Sequence, residues 1–393
     1  DSGLQTVTYE IKKGDTVIAT NTTGKFTKLE DDTEYTITII ATDKAGNTTT
    51  DIQKIKTNKL VPGSLTFIED PSNTSFIPSE NIWINENVKT MLIPGNAGTT
   101  TYEVTSPDGT TKKYTTTQTI ETVTGTYTVV LTTTDGTNTE TVNYTFNVDK
   151  IAPTVAYGTN GGTYTIPVGS TKYTISSKIT VTDNGGSKIA DITYAWSTSN
   201  TTQPETWVTT TNGAIIENEV TGGKYYLWVK TTDNAGNETI TKTSPFDIGY
   251  AIEYDKNGGT GTITNQRKTH GTNITLNNGT GLSKTGYTFI GWSENQTATQ
   301  AKYGKNASYT ANKSVKLYAV WQANTYNISY VLNGGTNNSS NPSTYTYGKG
   351  ATLSNATKQG YTFDGWYTES TFENKITSIS TTQTGNITVY AKY

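Results

Sequence analysis

The chain has 393 residues and a formal charge of −3, with 32% hydrophobic residues, 26 tyrosines, one histidine and no cysteine. This balance leaves no basic footprint for nucleic acid and no polybasic membrane patch. The lack of thiols excludes a disulfide framework, a thiol nucleophile and a thiolate zinc site.

At roughly 100–150 residues per domain, the chain divides into several domains. Thr dominates, Tyr is abundant, and Leu, Met and Ala are scarce, which predicts strands with one wet face rather than helices. No apolar run reaches the ~20 residues that span a bilayer. Asp1 stands where a start methionine would, so the sequence reads as a mature or cut piece. Cysteine avoidance fits either a cytosolic protein or an exported protein of Gram-positive type.

Along the chain, three segments share one pattern. Tyr35-Thr-Ile-Thr-Ile-Ile-Ala-Thr-Asp43-Lys-Ala-Gly-Asn47 matches Tyr225-Tyr-Leu-Trp-Val-Lys-Thr-Thr-Asp233-Asn-Ala-Gly-Asn237, with a weaker copy from Tyr127 to Asn138. Each predicts a strand, an Asp/Gly/Asn turn and a second Thr-rich strand. Alternation points Tyr35, Ile37 and Ile39 inward, and likewise Tyr127, Val129 and Leu131, and Tyr225, Leu227 and Val229. Upstream, Val7–Ile11 aligns with Ile192–Trp196, so Ile11 and Trp196 end matching core-facing strands. The pattern resembles bacterial Ig-like domains, whose corner tyrosine opens strand F. Asp149-Lys-Ile-Ala-Pro153 resembles their usual junction. The resemblance places Ig-like units at 1–60, 61–149 and 150–249. The first is expected to hold only strands C to G and to leave a sheet edge unpaired.

The tail repeats itself. Ile252-Glu-Tyr-Asp-Lys-Asn-Gly-Gly-Thr260 matches Ile328-Ser-Tyr-Val-Leu-Asn-Gly-Gly-Thr336, Gly286-Tyr-Thr-Phe-Ile-Gly-Trp292 matches Gly360-Tyr-Thr-Phe-Asp-Gly-Trp366, and Leu317–Trp321 matches Val389–Tyr393. Asn-Gly-Gly calls for positive φ after a first strand. Tyr287, Phe289 and, past a bulge at Gly291, Trp292 can furnish a small core. These blocks resemble the Listeria–Bacteroides repeat, also called the internalin-type B repeat, with units at 250–322 and 323–393. The resemblance implies a small β-grasp-like fold in exported proteins. A β-grasp adds one short helix, expected at 298–303 and at 373–379. The fold class is thus mostly β, a multidomain string of Ig-like β-sandwiches followed by two β-grasp-like repeats.

Motifs for chemistry are sparse. His270 lies in a loop, and the matching region around Tyr347-Gly348 has none, so it reads as a solvated histidine. Glu30-Asp31-Asp32 and Glu69-Asp70 precede turns and read as solvated acids. The Asp43 and Asp233 turns offer one carboxylate each, against the roughly six to eight oxygens that calcium takes. Capping of their own backbone is the favoured reading, and calcium between domains at Asp149 or Asp247 rests on equally few ligands. No metal or cofactor is therefore assigned. A Lys–Asn isopeptide cross-link would need a buried Lys, Asn and acid brought together. Asn-x-Thr triplets such as Asn143-Tyr-Thr145 arise by chance in a Thr-rich chain. On strand F of the third unit, Tyr226 and Trp228 alternate to the outer face and form the candidate ligand-binding pair, unless a neighbouring loop such as that of Trp207 covers them.

These readings converge on a non-catalytic stalk or adhesin segment, extracellular and associated with the bacterial cell wall. Its partners would be a host-surface protein, a glycan or the wall itself, with the fragment a monomer. The alternative is a set of accessory modules from a secreted carbohydrate-active enzyme. A third reading has the first unit accept a strand from a neighbour.

Overall fold

Thr, Tyr and Val at alternate positions suit pleated strands with one buried face, and strands are the regular elements found. The computed structural model describes residues 2–393 and holds no helix among them.

The first three units share one sheet, in the spatial order C′-C-F-G. In the first it comprises Thr16–Asn21, Leu4–Lys13, Glu34–Asp43 and Thr48–Lys56. In the second it comprises Thr111–Tyr114, Thr99–Thr105, Gly125–Thr134 and Thr139–Val148. In the third it comprises Val208–Thr209, Ile189–Ser197, Gly223–Asp233 and Glu238–Lys242. The tyrosine opening strand F bonds back to the chain in each. Glu30 N donates to Tyr35 Oη at 2.8 Å, Val123 N to Tyr127 Oη at 2.9 Å, and Tyr225 Oη donates to Gly222 O at 3.1 Å. This is the corner geometry of Ig-like sandwiches.

The second and third units close a sandwich. Ser64–Asp70, Asn87–Ile93 and Gln118–Ile120 form the opposing sheet of the second, and Thr154–Tyr157, Tyr173–Thr182 and Ile215–Val220 that of the third. Tyr127, Val129 and Leu131 are fully buried, and Tyr127 stacks on Phe146 at 5.2 Å. The first unit shows no opposing sheet among the described residues. Only Ile11 and Tyr35 of its sheet are buried, while Val17, Ile18 and Ile52 stay 46–61% exposed. Ile37 and Ile39, expected inside, are half-buried because no second layer lies over them.

In the tail, each repeat has a mixed sheet whose first and last strands run parallel. Ile252 pairs with Val315 in one, and Ile328 with Ile387 in the other. Asn257 and Asn333 take the same φ of 47°, ending the first strand, and their amides donate to Ala319 O and Ala391 O. Trp292 and Trp366 fill the two cores, and the expected bulge falls between Phe289 and Gly291. The expected helices at 298–303 and 373–379 are absent. The first stretch is irregular and ends in a bridge from Tyr303 to Trp292, and the second holds the short strands Lys375–Ile376 and Ser378–Ile379, the latter paired with Ala351–Thr352. Both stretches are far below the ~12–15 residues at which a helix holds by itself. Just before the first, Asn295 Oδ1 accepts from Thr297 N.

The boundary expected at 249/250 falls inside an unbroken strand, Phe246–Asp255. Its first half pairs with Gly162–Ile166 and Gly223–Tyr225 of the third unit, and its second half with Gln266–Lys268 and Val315–Tyr318 of the first repeat. Arg267 reinforces the join, bonding to Tyr164 O and to Asp247 Oδ1 at 2.7 Å. Between the repeats, Asn324 alone separates Val315–Ala323 from Thr325–Val331.

Glu294 in the first repeat accepts from Lys302 and Tyr303, both at 2.7 Å, and from Lys313 at 3.1 Å. These bonds, that of Lys302 foremost, hold its carboxyl down at about 2. A depressed carboxylate stabilises the fold above its ordinary range near ~4.3, and that stability is lost as pH falls through the folded value. Glu294→Gln should cost the repeat about 1 kcal/mol at neutral pH, allowing for solvent screening. Melting curves of both proteins should converge as pH falls to about 2.

Candidate metal centre at a domain junction

The second and third units meet through loops rather than a shared strand. Asp149 ends the second unit, directly after Thr139–Val148. Asp183 follows Tyr173–Thr182, and Asp233 ends Gly223–Asp233. One carboxylate oxygen from each lies within 4.8 Å of the other two. Asp149 is 0% and Asp233 3% exposed.

Backbone amides position each acid. Asp149 accepts from Ile151 N and Ser187 N, and Asp183 from Gly185 N and Lys188 N. Asp233 accepts from Ala235 N and Asn237 N through Oδ1 and from Asn237 Nδ2 through Oδ2. Asn237 Nδ2 also reaches back to Asp149 O at 2.8 Å, tying one unit to the next. Gly185 has no substitute here, since a Cβ on it would fall 1.7 Å from Asp149 Oδ1. Among the described residues, no lysine or arginine pairs with any of the three acids. Each carboxylate oxygen has two acceptor sites, so N–H bonding leaves capacity for a cation.

Sequence reasoning named Asp149 and Asp233 separately and missed Asp183 and Ser187. The available signal was Asp183-Asn-Gly-Gly-Ser187, an acid-led turn directly after a strand. The other acids behave differently. Asp43 makes the same turn as Asp233, accepting from Ala45 N, Asn47 N and Asn47 Nδ2. These bonds, that of the Asn47 side chain first and Ser2 next, hold its carboxyl well below the usual range. No other carboxylate joins it in a metal-holding cluster among the described residues, so backbone capping accounts for it. Asp247 is taken by Arg267. Glu30, Asp31 and Asp32 go to separate partners, namely Lys13, Leu60 N and Lys56.

Tyr226 and Trp228, expected on the outer face and open unless a loop such as that of Trp207 covers them, are 8% and 6% exposed. The loop after Ile189–Ser197 folds over them. Trp228 Nε1 donates to Ser199 O at 3.2 Å, and Lys242 Nζ sits 4.8 Å from its ring centroid. This is the loop that leads to Trp207, named from the sequence as the possible cover. His270 is exposed, as expected, and bonds to Tyr250 Oη through Nδ1 at 2.7 Å. Lys268, fully buried, donates to Asn312 Oδ1 at 2.7 Å. No carboxylate bonds to either among the described residues, so the third member of an isopeptide triad is not there.

Residues 250–320 and 326–392 each match the family model of the Listeria–Bacteroides repeat domain, so the tail is a pair of these repeats. A protein named as a Gly-rich membrane protein in Evansella cellulosilytica is 28% identical over 166 residues, covering 41% of this chain and 18% of that protein. Internalin H of Listeria monocytogenes is 29% identical over 154 residues, covering 39% and 26%. The chain spans less than a third of the length of the curated relatives it matches. Among solved structures, the tetra-tandem repeat in the extending region of a large adhesion protein is 13% identical, covers 81% of this chain and 91% of that one, and has a TM-score of 0.29.

Proposed function

We propose that this chain, ending in a pair of Listeria–Bacteroides repeats, is a non-catalytic spacer segment of an exported bacterial surface protein. It would hold a binding tip away from the cell wall, toward a host-surface protein or glycan. One observation carries this reading: successive units meet without free linker. The third unit and first repeat share a strand, one residue separates the repeats, and Asn138 and Asn237 each bond across a junction to the unit before. A chain built this way transmits position, since each junction restrains the next unit. Similarity to a relative named Internalin H, 29% identical over 154 residues, supports the surface setting.

Solution scattering tests the reading. A compact particle of this length would have a radius of gyration of about 21 Å. A spacer should give a value well above that, unchanged with protein concentration. A value near the compact one would overturn the proposal. Tight, specific binding on a glycan array would favour accessory modules of a carbohydrate-active enzyme instead.

A further inference from the structure

We propose that Asp149, Asp183 and Asp233 bind one calcium ion, which stiffens the junction between the second and third units. The mechanical meaning rests on the spacer reading; the binding does not. The carboxylates converge within 4.8 Å, two of them buried, with no basic side chain paired to them among the described residues. Like charges gathered out of water call for a compensating cation.

A second observation points to the same ligand. Ser187 is wedged between the acid-bearing loops, its amide donating to Asp149 Oδ2 and its carbonyl accepting from Asn234 Nδ2, next to Asp233. Its residue is 2% exposed, and its hydroxyl has no hydrogen-bond partner. A buried polar atom without a partner is rare and costly, and here it belongs to the residue whose amide holds Asp149. The donor set is oxygen alone, without imidazole or thiolate, which suits a hard cation. Calcium fits this irregular, backbone-held arrangement better than magnesium, which demands near-octahedral geometry.

The chain supplies its own comparison. At the first junction, Asn58-Lys-Leu-Val-Pro62 aligns with Asp149-Lys-Ile-Ala-Pro153, putting a neutral amide where Asp149 stands. There Asn96 ties the units, accepting from Val61 N and donating to Lys59 O. The acidic centre belongs to the second junction and is not required by the fold.

Chelator-treated whole chain, titrated with calcium chloride in a calorimeter, should show one site, with a dissociation constant on the order of 10⁻⁴–10⁻³ M as in extracellular modules. Calcium should also raise the melting temperature, and magnesium at equal ionic strength should not. Asp183→Asn, on the partly exposed acid, should weaken binding at least tenfold. Asp43→Asn, in the matching turn of the first unit, should leave the affinity unchanged. Should Asp183→Asn fail to fold, Ser187→Ala provides the second variant and should also weaken binding. Trp83 lies against this loop, 3.1 Å from where a Gly186 Cβ would sit. Terbium in place of calcium should therefore luminesce on tryptophan excitation, and Trp83→Phe should quench it. No heat with calcium, an equal thermal shift with magnesium, or undiminished binding in both Asp183→Asn and Ser187→Ala would overturn the proposal.

Discussion

Trp366→Ala should unfold the second repeat and leave the rest of the chain standing. Trp366 is 1% exposed, packs edge-on against Tyr330 at 5.2 Å and Phe363 at 5.5 Å, and donates from Nε1 to Ser354 O at 2.9 Å. Its removal opens a cavity and leaves Ser354 O with Asn341 Nδ2 as its donor, a loss of about 3–5 kcal/mol for a buried Trp. A domain this small rarely holds more than about 3–5 kcal/mol in all, so the substitution consumes its whole stability. Hydrogen exchange would show the outcome. Amides of Ile387–Lys392 should lose protection while those of Gly125–Thr134 keep it. Persisting protection in the second repeat would show that Trp366 is not its keystone.

The second large effect follows from the shared strand. Ile248 is fully buried and belongs to the core of the third unit, yet it lies on the strand that continues into the first repeat. Ile248→Ala should cost about 2–5 kcal/mol, and the loss should appear in both domains. Protection should fall together in Gly223–Asp233 and Val315–Ala323. Val129→Ala, equally buried in the second unit, should affect only its own sandwich. If the two protections decay independently in Ile248→Ala, the strand is continuous in geometry but not in cooperativity.

Much of the architecture was legible because it rests on local chemistry. The Tyr-to-Asp spacing marked strand F and its turn, and three corner tyrosines bond as that reading requires. Asn-Gly-Gly demanded positive φ, and Asn257 and Asn333 adopt it. The two helices were expected by analogy with a β-grasp, and neither stretch is long enough to hold one by itself. Periodicity set Tyr226 and Trp228 on one face of their strand, and the loop leading to Trp207, named from the sequence as its possible cover, is the one that bonds Trp228.

Strand periods, turns and the duplicated tail were thus determined by the sequence alone, because they depend on neighbours within a few residues. The metal centre and the joins between units were decided by tertiary structure. Asp149, Asp183 and Asp233 are separated by 34 and 50 residues and are brought together only when two loops of one unit close on the end of another. The strand Phe246–Asp255 gives no sign in its own residues that two domains share it, because pairing partners on either side make that choice.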